Sequence, residues 1–103
     1  MTVVGEAKVT KYAGKHNAAA AWLNGWLLVT RAAQWSTIQD VKAAYPAVDG
    51  GVRVHSGGTV TVFDVCGNNH RMIVTISYKL KIVNVLELMP HPEYGKNLWK
   101  KRY

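Results

Sequence analysis

The stretch Thr59 to Lys96, TVTVFDVCGNNHRMIVTISYKLKIVNVLELMPHPEYGK, decides the fold. It divides into three runs rich in Val, Ile, Thr and Phe: Thr59 to Cys66, Arg71 to Tyr78, and Leu80 or Lys81 to Met89. These are the residue types that fit a pleated surface. Two short turns separate them. The first is GNN, residues 67–69, whose glycine and asparagines tolerate the positive φ of a tight hairpin, and the second lies near Lys79 and Leu80. Short turns imply antiparallel neighbours, so the segment reads as a meander. In its middle run Met72, Val74, Ile76 and Tyr78 face one way and Arg71, Thr75, Ser77 and Lys79 the other, with Ile73 the exception. One face is therefore expected to be core and the other partly solvated.

The register carries the functional inference. A tight second turn centred near residue 80 sets Arg71 opposite Leu88 or Met89, at ~5 Å. The GNNHR turn and the MPHPEYGK segment then share one end of the sheet. That gathers Asn68, His70, Arg71, His91, Glu93 and Tyr94 into one neighbourhood.

Working outward, Val52 and Val54 begin a further short strand after the loop YPAVDGG, with Ser56, Gly57 and Gly58 turning it. Before that the period is helical. Asn17 is a suitable N-cap, the tetra-alanine Ala18 to Ala21 favours helix, and Trp22, Leu23, Trp26, Leu27 and Val29 form an apolar stripe. Stripe position makes the tryptophans core, although indoles also stack on bases. A shorter helix is predicted from Thr37 to about Ala44, with Ser36 and Gln39 at capping-box spacing and Pro46 stopping it. The fold class is α+β, N-terminal helices packed on a three- to five-stranded antiparallel sheet, as one domain spanning residues 1–103.

With 103 residues, about half of them apolar, the chain can bury one core. No window reaches the ~18 apolar residues of a membrane helix, and no signal peptide is visible, so a cytoplasmic protein without a membrane partner is expected. The lone cysteine, Cys66, reads as a small buried hydrophobe. A formal charge of +7 attracts polyanions and is expected to concentrate around the shared end of the sheet.

The residues grouped at that end suit RNA cleavage. Histidine titrates near neutrality, arginine is a permanent forked cation matched to phosphate, tyrosine offers a ring and a hydroxyl, and glutamate a carboxylate. When the RNA 2′-hydroxyl attacks the adjacent phosphate, the protein needs only to remove one proton, supply another and stabilise phosphoryl charge. Pro90 and Pro92 stiffen the backbone around His91. No metal or other cofactor is expected: Cys66 with His70, or His55 with His91, lacks a zinc-ligand spacing. GNNHR joins two strands and is no phosphate loop. The bland reading of the same residues is a loop histidine and a surface ion pair of Arg71 with Glu93.

RAAQWSTIQDVKAAYPAVD, TVFDVCGNNHRMIV and PHPEYGK, in that order, resemble the HigB toxin family, from about Leu27 to Lys96. The most specific part is Gly67-Asn68-x-x-Arg71 followed by His91-x-Glu93-Tyr94. The resemblance implies the RelE-like fold and a ribosome-dependent mRNA endonuclease. It also implies neutralisation by a helix-turn-helix antitoxin, with operator DNA contacted only through that partner. Arg71 matches the motif arginine, implied to bind phosphate and stabilise the transition state. His91 matches the motif histidine as general acid or base. Tyr94 is implied to orient the nucleotide or share proton transfer, and Glu93 to position His91 or act as the base. Asn68, His70, Arg53 and Lys96 are the candidate RNA contacts, to mRNA on the ribosome and to rRNA. Where the family usually has Thr-His-x-Glu-Tyr-Asp, Pro90 replaces the threonine and Gly95 the aspartate, so two polar groups are missing. Two other classes of function compete: a toxin of the same superfamily that poisons DNA gyrase by protein binding, and a basic module that binds RNA without cutting it.

Overall fold

A computed structural model describes all 103 residues, Met1–Tyr103. Helices α1 (Glu6–Lys15), α2 (Asn17–Ala32) and α3 (Ile38–Ala44) lie against a sheet of β1 (Thr2–Val4), β2 (Asp49–Arg53), β3 (Thr59–Val65), β4 (His70–Ser77) and β5 (Ile82–Pro90). A one-turn helix α4 (His91–Gly95) and a 3₁₀ turn (Leu98–Arg102) follow. The strand order is β1-β5-β4-β3-β2. The meander is as expected, and Arg71 pairs with Met89. The sheet is mixed, not purely antiparallel, because β1 runs parallel to β5. No helix is long and apolar enough to cross a membrane.

Helix α1 enters through Gly5, whose φ of 87° is in the left-handed region. A Cβ there would stand 2.8 Å from the Val85 carbonyl oxygen, so only glycine lets the chain turn so close to β5. Helix α2 begins at Asn17, one residue earlier than an Asn17 cap requires; His16 occupies the cap without a side-chain bond. Leu23, Trp26 and Leu27 are buried, whereas Val29 turns outward at 44% exposure. The α3 cap differs from the predicted Ser36 and Gln39 pair. Thr37 is the cap, and the Asp40 carboxylate accepts the amide N–H groups of Ser36 at 2.8 Å and Thr37 at 3.2 Å. Asp49, Gly50 and Gly51, read as loop, open β2 instead. In the β3–β4 turn the left-handed residues are Cys66 and Gly67, not the asparagines.

Two apolar layers hold the sheet. The larger, on the helical side, includes Leu23, Trp26, Phe63, Val65, Met72, Val74, Val83 and Val85. The smaller is Val54, Val60, Val62, Ile73, Met89 and Trp99. It explains Ile73: the face expected to be solvated is roofed by Trp99 from the C-terminal turn, so an apolar residue belongs on both sides of β4 there.

Candidate functional site

Arg71 is the centre of the shared end. It is only 7% exposed, on the Trp99 side of β4, and a buried guanidinium needs partners for its charge. Its Nε lies 3.2 Å from Asp64 Oδ1 on the neighbouring strand, and Asp64 is the residue paired with Arg71 in the hairpin. Nη1 donates to the His70 carbonyl at 3.0 Å and Nη2 to the Asn68 side-chain oxygen. Two of the five N–H donors make these hydrogen bonds and the Asp64 contact is an ion pair, so about three are not held by a hydrogen bond within the protein. The guanidinium carbon also stands 5.4 Å from the centre of the Tyr94 ring.

Tyr94 is fixed from the other side. Its ring stacks on Trp99 at 5.3 Å and 18°, and its carbonyl accepts the Trp99 Nε1–H at 3.1 Å. Burial raises the Tyr94 phenol pKa and Asp49 raises it further, against the opposing pull of Arg71. The phenol is thus a proton donor at neutral pH. Asp49 and Asp64 therefore belong to this end of the sheet, although sequence reasoning left them out. Asp64 had a readable signal, its mirror position to Arg71 across the GNN turn.

His91 starts α4 after Pro90, and its amide donates to the Asn69 carbonyl at 2.9 Å, which ties this segment to the β3–β4 turn. Its imidazole is exposed and makes no side-chain hydrogen bond. Glu93 is exposed too, 3.7 Å from Lys96. That pair replaces the Arg71–Glu93 ion pair considered from sequence.

Two candidates do not join the group. Arg53 pairs with Thr59, at the opposite end of β3 from Asp64. His70 shares the end but its side chain points through the sheet to the helical side. There Nδ1 is hydrogen-bonded to the Tyr12 hydroxyl at 2.7 Å, and the His16 ring lies 5.2 Å away, itself stacked on Tyr12 at 4.1 Å. Adjacent strand residues face opposite sides, so Arg71 and His70 could not both face the same ligand. The cations are also dispersed instead of gathered at this end: Arg53 lies far from it, and Lys81 is bonded to the Trp35 carbonyl and the Ser36 hydroxyl.

A cleft of about 550 Å³ borders the site where β3 runs beyond β2. Trp22 and Tyr45 wall it, with Asp64 and Asn68 on the side nearest Arg71. Trp22 is half-buried and tilted against Tyr45 at 5.5 Å, whereas Trp26 is wholly buried.

Residues 19–97 match the sequence profile described as HigB toxin, RelE-like toxic component of a toxin–antitoxin system. The chain belongs to the HigB toxin family. No curated protein matched it. A HigB-family toxin implies an antitoxin as partner, and the α+β architecture above agrees with the RelE-like description. The match spans α2 to α4 and includes Asn68, Arg71, His91, Glu93 and Tyr94, so the grouping just described lies within the family's own segment.

Proposed function

We propose that this HigB-family toxin is a metal-independent endoribonuclease that cuts mRNA on the ribosome. The observation that supports it most is the Arg71–Tyr94 contact at the end of the sheet where the His91 segment is anchored. A scissile phosphate approaching between Asn68 and Tyr94 takes up the guanidinium donors left free and competes with Asn68 for the rest. Arg71 then stabilises the charge that builds on the phosphoryl oxygens. The neutral Tyr94 phenol supplies a hydrogen bond or proton, and the exposed imidazole of His91 exchanges protons with the 2′-hydroxyl or the leaving oxygen. Glu93, beside His91 in α4, positions that imidazole or accepts the proton itself. A base next to the phosphate has a place to stack in the cleft of Trp22 and Tyr45. Lys96 and the cations outside the site supply contacts to rRNA and mRNA. The antitoxin, a helix-turn-helix protein encoded beside the toxin, carries any contact to operator DNA, and the whole system works in the cytoplasm.

Induced expression followed by mapping of transcript ends tests the reading. Cleavage and growth arrest are expected from the native chain, and both are lost in His91→Ala while circular dichroism stays unchanged. Relaxed or linear plasmid with intact transcripts would instead make the protein a gyrase poison. Strong RNA binding at low salt without cleavage in translating cells would make it a binding module.

A further inference from the structure

Beyond Asn84, β5 has an open edge. β1 pairs only with Ile82 to Asn84, and no other strand lies on that side. The His91 amide donates to the Asn69 carbonyl, one residue before β4 and in line with its ladder, since His70 pairs with Pro90. Counting back by twos in an antiparallel ladder aims the Met89 and Glu87 backbones at β4 and that of Leu88 outward. The Leu86 carbonyl also points outward, because it accepts the Lys8 ammonium at 3.1 Å. Pro90, with no N–H to give, stands where edge prolines are tolerated.

A groove of about 220 Å³ runs along this edge, with Lys8, Lys11 and Lys15 of α1 as its far wall. All three lysines are exposed. The one carboxylate in the lining, Glu87, is occupied by Arg102 at 3.1 Å and the Tyr103 hydroxyl at 2.8 Å. The groove therefore combines the outward backbone of Leu88, a Leu86 carbonyl held only by the Lys8 ammonium, and lysine charge that no carboxylate compensates. An open edge invites strand pairing, and the lysines both discourage self-association and select an acidic partner.

We propose that an acidic, extended segment of the antitoxin docks here by adding a strand to β5. The partner follows from membership of a toxin–antitoxin family; the seat follows from the edge and its charge. RNA would use the lysines but leave the strand edge without a role. A segment paired with Leu86 to Pro90 leads directly to His91, so it also covers the end of the sheet that holds Arg71 and Tyr94. Neutralisation is then steric.

The test uses the full chain, ¹⁵N-labelled, titrated with a capped hexapeptide alternating valine and glutamate. Amide shifts should concentrate at Leu86 to Leu88 and His91, with slowed exchange of the Leu88 amide. Lys11→Glu combined with Lys15→Glu should weaken binding at least about tenfold, and a valine–lysine hexapeptide should not bind. Leu88→Pro, which removes an outward N–H and no ladder bond, should also abolish binding. Shifts elsewhere, no shifts at millimolar peptide, or a hexauridylate that moves the same amides more strongly would each overturn the proposal. Because the readout is binding, a failed nuclease assay and a failed docking experiment are separate results.

Discussion

The two faces of β4 differ in what they bury and in what they hold. On the helical side Met72 and Val74 join a cluster of seventeen buried residues, and the polar residue there, His70, is enclosed by Tyr12 and His16. On the other side Ile73 belongs to a cluster of only six, and Arg71 spans the gap between Asp64 and Tyr94. The thick face carries stability. The thin face holds a charge in place with a single tryptophan as roof, which leaves an approach open beside it. The division is physical: apolar burial scales with area, whereas a buried guanidinium needs polar partners for its charge.

The largest effect should come from the thick face. Trp26→Ala should cost about 4 kcal/mol in denaturant unfolding, the range for a fully buried aromatic. A loss below about 1 kcal/mol would break the comparison, because it would mean that the helical layer is not the main support. Next is Arg71→Lys, which keeps a cation near Asp64 but loses the fork. RNA cleavage in a translating extract should fall about a hundredfold, with the fold retained. Undiminished cleavage would remove Arg71 from the site.

Much of this division was legible in the sequence, and what was missed has identifiable causes. The period-two alternation of residues 71–78 and the short turns fixed the meander and the Arg71–Met89 register without reference to anything distant. Ile73 was the one misfit in that alternation, and it marked the second layer; its partner Trp99 is twenty-six residues away, so no local pattern names it. β1 is three residues long and exists only because it pairs with β5. In α1, Val9 and Ala13 are at helical spacing, but Thr10 and Gly14 dilute the propensity over a ten-residue helix. At the site, pairing brought Arg71 and the His91 segment together correctly, while His70 was misplaced. Six residues were grouped by their nearness along the backbone, and side-chain alternation splits the group in two.

Trp99→Phe probes the roof itself. It removes part of a buried ring and the hydrogen bond to the Tyr94 carbonyl, so a loss of about 1.5 kcal/mol is expected. Cleavage per folded molecule should fall as well, because Tyr94 loses its stacking partner. If Trp99 only supports the fold, activity corrected for the folded fraction stays at the native level, and the thin face would then resemble the thick one.

The smallest effect distinguishes the two polar neighbours by pH. Burial, and then the nearby His16, lowers the His70 pKa below its ordinary 6.5. In the unfolded chain the imidazole takes up its proton near that ordinary value, whereas the folded protein resists until the pH is lower. Between the two, the unfolded state binds more protons, so stability falls as the pH drops below 6.5 and is flat with respect to His70 above it. His70→Asn keeps an acceptor near Nδ1 for Tyr12 and removes the titration. Unfolding midpoints measured from about pH 7 to about pH 5 should therefore fall more steeply for the native chain than for the variant. Arg71, one residue on, faces the other side of β4 toward Asp64 and Tyr94 and takes no part in the Tyr12 contact. Parallel profiles would show that His70 is as freely hydrated as in the unfolded chain, and the helical face would no longer be the closed one.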